Sequence, residues 1–143
     1  MKFLEENITA FNVQAATPEE AIRIAGNLLA DKGYVENRYV EAMVESFEQN
    51  GPYIVIAPQI AMPHARPEDG VLEACISMIH LEKAISFGST PNDPVKLVFA
   101  LGASDSEEHL EVLKKLMHLL RNKESIEQLK SASSYEHVRA LIV

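Results

Sequence analysis

Apolar residues recur at helical spacing in three stretches of the chain and run nearly unbroken in two others. Thr17-Pro18-Glu19-Glu20 reads as a capping box with proline at the first helical position, and Gly33 supplies the stop. Between them Ala21, Ile22, Ala25, Leu28 and Leu29 fall on one face. A second helix is predicted from Asn37 to Gln49, with Val40, Met43, Val44 and Phe47 inward and Gly51 after it. A third runs from Ser106 to Arg121, with a core stripe of Leu110, Leu113, Leu116, Met117 and Leu120. Shorter helices are expected over Ser125 to Ser131 and Ser134 to Ile142.

The middle of the chain changes character. Tyr53 to Ile56 is a short β-branched run, followed by the proline-punctuated stretch APQIAMPHARPEDGV. Ala74 to Leu81 and Val95 to Leu101 then read as strands, the second of them apolar enough to be covered on both faces. Only a loop with Gly88, Pro91, Asn92 and Pro94 separates these two strands, so a mixed sheet is expected rather than a wholly parallel one. Helices before and after a hydrophobic sheet give a layered α/β sandwich. No repeat or linker-like tract divides residues 1–143, which are read as one domain.

Composition narrows the partners. Lys and Arg number 13 against 21 Asp and Glu, a formal net charge of -8, which argues against nucleic acid or an anionic membrane surface. An acidic surface suits a basic protein partner, or solubility alone. A single cysteine, Cys75, excludes an internal disulfide and fits a reducing compartment. No stretch approaches the roughly 20 apolar residues of a membrane span, and the N-terminus has no signal-peptide core, so a cytoplasmic location is expected.

Histidines occur at positions 64, 80, 109, 118 and 137. None forms an HExxH motif or an i, i+4 pair, and His109 and His118 lie on opposite sides of one helix, so a metal site is not expected. His64 follows Pro63 in a segment stiffened by Pro58, Pro63 and Pro67. A stiff, partly exposed imidazole that is neutral near pH 7 suits nucleophilic attack on phosphorus, where positioning matters most. A loop histidine without a role is the alternative that residue types leave open. His109 is the second candidate. It sits in the first turn of the third helix, after the buried strand, where α/β folds assemble anion sites. The alternative there is a solvated first-turn side chain. Cys75 is read as a core thiol, His80 as a satisfied strand histidine, and His118 and His137 as polar or half-buried helix positions. No phosphate loop is present, which leaves no support for nucleotide binding.

The segment IAMPHARPEDGV resembles the phosphorylation site of EIIA components of the bacterial phosphoenolpyruvate-dependent sugar phosphotransferase system, in the mannitol/fructose-type superfamily. RYVEAMVES, ISFGSTPNDPVKLVFALGA and EEHLEVLKKL resemble the same family in order and spacing, across essentially the whole chain. The resemblance implies a three-layer α/β sandwich with a mixed central sheet and helices on both faces. It implies that His64 accepts a phosphoryl group from HPr, as a tele-phosphohistidine, and passes it to EIIB, with no metal or cofactor and only indirect dealings with the membrane component EIIC. It also implies that His109 lies beside His64 and stabilises the phosphoryl group. Many members carry an arginine in the second helix where this chain has Ser46 and Phe47, and Arg66 is the candidate replacement. The GPYIVIAPQIAMP lead-in and the ARPEDGV continuation look most like the ascorbate branch. The alternatives are a nitrogen-type regulatory EIIA without a transport role, an EIIA for fructose, mannitol or another pentitol, and a module that only docks.

Overall fold

The computed structural model describes residues 1–142. In chain order the elements are β1 (Lys2–Phe3), β2 (Thr9–Val13), α1 (Pro18–Asp31), α2 (Asn37–Asn50), β3 (Val55–Ala57), β4 (Ile60–Ala61), β5 (Cys75–Ile76), β6 (Met78–Ile85), β7 (Val95–Val98), β8 (Leu101–Gly102), α3 (Ser106–Leu120), α4 (Lys123–Lys130) and α5 (Tyr135–Ile142). The start of α1 follows its sequence signal. Thr17 Oγ1 accepts the Glu20 N–H at 3.1 Å, and the Glu20 carboxylate reaches back to the Ala16 N–H at 3.2 Å. Gly33 and Gly51 follow α1 and α2 with φ of 76° and 77°, the left-handed conformation that glycine adopts without a Cβ penalty.

The main sheet has five strands in the order β2-β6-β7-β4-β3, with β2 and β6 parallel, β6 and β7 antiparallel, β7 and β4 parallel, and β4 and β3 antiparallel. It is the mixed sheet expected. A smaller sheet, β1-β5-β8, continues beside it. Side chains alternate between two cores as the pleat requires. Ala74, Ile76 and Met78, with Leu97, Phe99 and Leu101, pack on the side of α3, α4 and α5. Cys75, Ile79, Val98 and Ala100 pack on the side of α1 and α2. Helices therefore cover both faces, and the α/β sandwich is observed.

Several expectations are corrected. Ala74 to Leu81 is two strands, because Ser77 leaves the ladder: its hydroxyl donates to the Ala25 carbonyl at 2.8 Å and its N–H to the Ala100 carbonyl at 2.9 Å. Val95 to Leu101 divides likewise at Phe99 and Ala100. Tyr53 lies in a 3-10 turn, Pro52–Ile54, and the strand begins only at Val55. The short strands β1, β2 and β4 were not anticipated from the pattern. The stripe of α3 is rotated: Val112, Leu116 and Leu119 are buried, whereas Leu110 and Met117 are 52% and 44% exposed. This helix carries leucine or methionine over about half of its circumference, wider than the face that one sheet can cover, so packing against the sheet decides which part turns inward.

That rotation is testable on a single helix. Leu116→Ala is expected to lose about 2–5 kcal/mol of stability. Leu110→Ala is expected to stay within about 0.5 kcal/mol. Urea denaturation of both variants checks the assignment; equal losses would restore the sequence-based stripe.

Candidate functional site

The segment after β4 continues as a pinned strand rather than a free loop. Phe99 N–H donates to the Ala61 carbonyl at 2.9 Å, Leu101 N–H to the Pro63 carbonyl at 3.0 Å, and Met62 N–H to the Ile54 carbonyl at 2.8 Å. His64 emerges at the end of this ladder, half-buried. Its Nδ1 lies 3.0 Å from the Met62 carbonyl oxygen. A carbonyl can only accept, so Nδ1 carries a proton, and in the neutral imidazole the lone pair is on Nε2.

The next residue is held from the opposite side. Tyr39, fully buried on α2, accepts the Ala65 N–H at 3.0 Å and donates to the Leu101 carbonyl at 2.6 Å. Burial raises the phenol's pKa far above its usual value, so the hydroxyl stays protonated and able to donate. Tyr39 is absent from the inward stripe read off the sequence. Its position four residues before Met43 was the available signal, together with the need of a buried tyrosine for a hydrogen-bond partner.

His109 arrives from α3. Asp105 caps that helix through the Glu108 N–H at 2.8 Å, and Glu108 Oε1 accepts the Ser104 N–H at 2.8 Å. Glu108 is thereby committed to the cap. The His64 and His109 rings meet edge to face, centroids 5.6 Å apart at 64°. Burial, and then the neighbouring His64, hold the His109 pKa below its ordinary value, so this imidazole is neutral near pH 7. On its other side His64 meets the edge of Tyr53, with centroids 6.0 Å apart at 76°. Tyr53 is a second residue that the sequence reading passed over, placed as it was in a strand.

A cleft of about 560 Å³ opens beside His64, lined on the α2 side by Glu45, Ser46, Asn50 and Tyr53 and on the loop side by Arg66 and Asp69. Arg66 thus shares the cleft with His64. Its guanidinium lies 3.5 Å from Asp69 and its side chain is 75% exposed. Ser46 Oγ is 2.9 Å from the Tyr53 hydroxyl.

The other candidates lie elsewhere. Cys75 is buried, and desolvation pushes its thiol pKa up to about 12, which makes it a core residue. His80 Nδ1 accepts the Asn12 N–H at 3.2 Å and its Nε2–H donates to the Lys130 carbonyl at 2.7 Å, the satisfied strand histidine expected. His118 and His137 are exposed on α3 and α5. Among the described residues, no helix is long and apolar enough to cross a membrane.

Residues 2–143 match the family described as "Phosphoenolpyruvate-dependent sugar phosphotransferase system, EIIA 2". The chain belongs to this family. EIIA domains of this kind are phosphotransferases that carry a phosphoryl group. The ascorbate-specific EIIA component of Escherichia coli K12 is 36% identical over 139 residues, covering 96% of this chain and 90% of that protein. The cryptic mannitol-specific enzyme IIA CmtB of E. coli superposes with a TM-score of 0.86 at 37% identity, over 98% of this chain and 94% of that one. The mannitol EIIA of E. coli, solved in complex with phosphorylated mannitol EIIB, gives a TM-score of 0.86 at 32% identity, over 98% and 97%. The resemblance first read from PHARPEDG therefore holds across the EIIA fold.

The lowered pKa of His109 has a consequence for pH. The folded EIIA resists the proton that the unfolded chain takes up near pH 6.5, so this group's contribution is whole above that pH and falls on acidification. In a proton–nitrogen NMR titration His109 is expected to titrate below pH 6.5, and to move upward in His64→Ala, which removes one of its two causes. An unmoved His109 midpoint would break the electrostatic link between the rings.

Proposed function

We propose that this EIIA carries its phosphoryl group on Nε2 of His64, receives it from phospho-HPr and delivers it to EIIB, which serves uptake of L-ascorbate through EIIC. The observation that carries the reading is the Nδ1–H···O=C contact to Met62, which makes Nε2 the nitrogen that holds the lone pair in the neutral imidazole. In the first transfer that lone pair attacks phosphorus in line, and the N–P bond of the donor breaks with its electron pair returning to the donor imidazole. In the second, a thiolate on EIIB attacks the same phosphorus, and the electrons of the His64 N–P bond return to Nε2. Both steps need positioned donors more than covalent help. His109, neutral and in ring contact with His64, is the first stabilising group. Arg66 is the secondary one, since its ion pair with Asp69 must loosen before the guanidinium turns to a phosphoryl oxygen. The whole chain acts as one cytoplasmic unit in this reading. The share of sequence held in common with ascorbate-specific EIIA supports the cargo. The EIIA–EIIB complex among the similar structures supports the acceptor.

The test is transfer from labelled phosphoenolpyruvate, through Enzyme I and HPr, onto the purified protein. Acid-labile, base-stable label is expected on the wild type and none on His64→Ala, whose stability is expected within about 0.5 kcal/mol of wild type because a half-buried loop imidazole packs little core. His109→Ala is expected to slow delivery to EIIB more than uptake from HPr. Retained label in His64→Ala would move the acceptor elsewhere. Label on the wild type that no EIIB discharges would favour a regulatory EIIA.

A further inference from the structure

The cleft beside His64 is poorly furnished with positive charge for a site that receives a phosphoryl group. Glu45 and Asp69 line it, and Asp69 already pairs with Arg66, the one guanidinium there among the described residues. A phosphoryl dianion on Nε2 therefore depends on neutral donors. On the α2 wall these are Ser46, Gln49, Asn50 and Tyr53, and of them Tyr53 is the one in ring contact with His64.

Tyr53 is also held at its far end. Asn50 Nδ2–H donates to Ser46 Oγ at 3.4 Å, and Ser46 Oγ lies 2.9 Å from the Tyr53 hydroxyl. A serine that accepts from Asn50 retains its own proton to give to the phenol oxygen. With that polarity the phenol proton is unspent. The relay starts from a side chain of α2 and ends on a hydroxyl in the cleft.

We infer that Tyr53 is a further residue of the phosphoryl site, with two roles: its ring fixes the His64 imidazole against His109, and its hydroxyl, oriented by Ser46, donates to an oxygen of the phosphoryl group on His64. The inference rests on His64 being the carrier. Bracketed by Tyr53 at 6.0 Å and His109 at 5.6 Å, and tied at Nδ1 to Met62, the imidazole has little freedom to turn Nε2 away from an incoming phosphorus. The hydroxyl then supplies from a neutral group part of the stabilisation that a cation would supply.

Tyr53→Phe keeps the ring and removes the donor. Tyr53→Leu removes both. In the labelling assay with Enzyme I and HPr, Tyr53→Phe is expected to take up phosphate about tenfold more slowly, the equivalent of one hydrogen bond to a charged group, and Tyr53→Leu more slowly again. An independent readout is the phosphorus NMR titration of phospho-His64. A donor favours the dianion, so its loss is expected to raise the midpoint of the second phosphoryl ionisation in Tyr53→Phe, a shift that a purely structural tyrosine would not produce. Ser46→Ala is expected to move that midpoint in the same direction by a smaller amount. A labelled wild type with Tyr53→Phe equal to it in rate and midpoint overturns this inference alone. An unlabelled wild type, with the donors active on another EIIA, overturns the carrier reading beneath it.

Discussion

The hydroxyl of Tyr39 joins three parts of the chain that are distant in sequence: helix α2, the residue after His64, and the β8 carbonyl that leads toward α3. Ala65 N–H and Leu101 C=O would otherwise be polar groups at the edge of a hydrophobic core without partners, a costly state in a low-dielectric setting. By satisfying both at once, the phenol fixes the distance between the loop that carries His64 and the strand that leads to His109. The ring contact between the two histidines depends on that spacing. So does the bracket formed with Tyr53, because Tyr53 hangs from the same helix through Ser46.

Rigidity at this point is inherited from the sheet. Strand β7 and its continuation alternate Leu97, Phe99 and Leu101 into one core with Val98 and Ala100 into the other, so neither face of the central strand meets water. The ladder from Ala61 to Pro63 is anchored on this same run. A half-buried site built on a strand covered on both sides moves only if the core moves with it, which in the carrier reading suits a group presented to its partners in one fixed geometry.

The parts of this arrangement legible in the sequence were those with local signals. The α1 cap at Thr17, the inward faces of α1 and α2, the doubly covered run VKLVFAL and the stiff PHARP segment all carry their cause in neighbouring residues. What escaped depends on contacts made at long range. Strands β1 and β4 are two residues long and β2 is largely half-buried, so none has the apolar alternation that marks a strand. The break at Ser77 follows from a hydrogen bond to Ala25 on another element. The inward face of α3 was ambiguous because Leu110 and Met117 look as apolar as Leu116. At the candidate site, His64, His109 and Arg66 were candidates by type and by resemblance, and the fold brings His109 into ring contact with His64 and Arg66 into the same cleft. Tyr39 and Tyr53 were passed over because a tyrosine's role is set by whatever its hydroxyl reaches, and that is decided by the fold.

The composition of the cleft also bears on how a carrier of this family should hold its group. A site that bound the phosphoryl strongly in the resting carrier would deepen the ground state, and delivery would have to climb out of it. Neutral donors such as His109, with its lowered pKa, and hydroxyls at the α2 wall stabilise a dianion less than free guanidinium groups would. Glu45 and Asp69 restrain it further. In the carrier reading the group is positioned well and bound loosely, which keeps the N–P bond ready to transfer. The cationic help needed at the transition state is then best supplied by the partner, and only while it is docked. An acidic chain with a net charge of -8 is suited to recruit such a partner from solution. In that reading, placing the missing positive charge on the partner would make transfer conditional on docking, and that conditionality would protect the phosphohistidine from water between encounters.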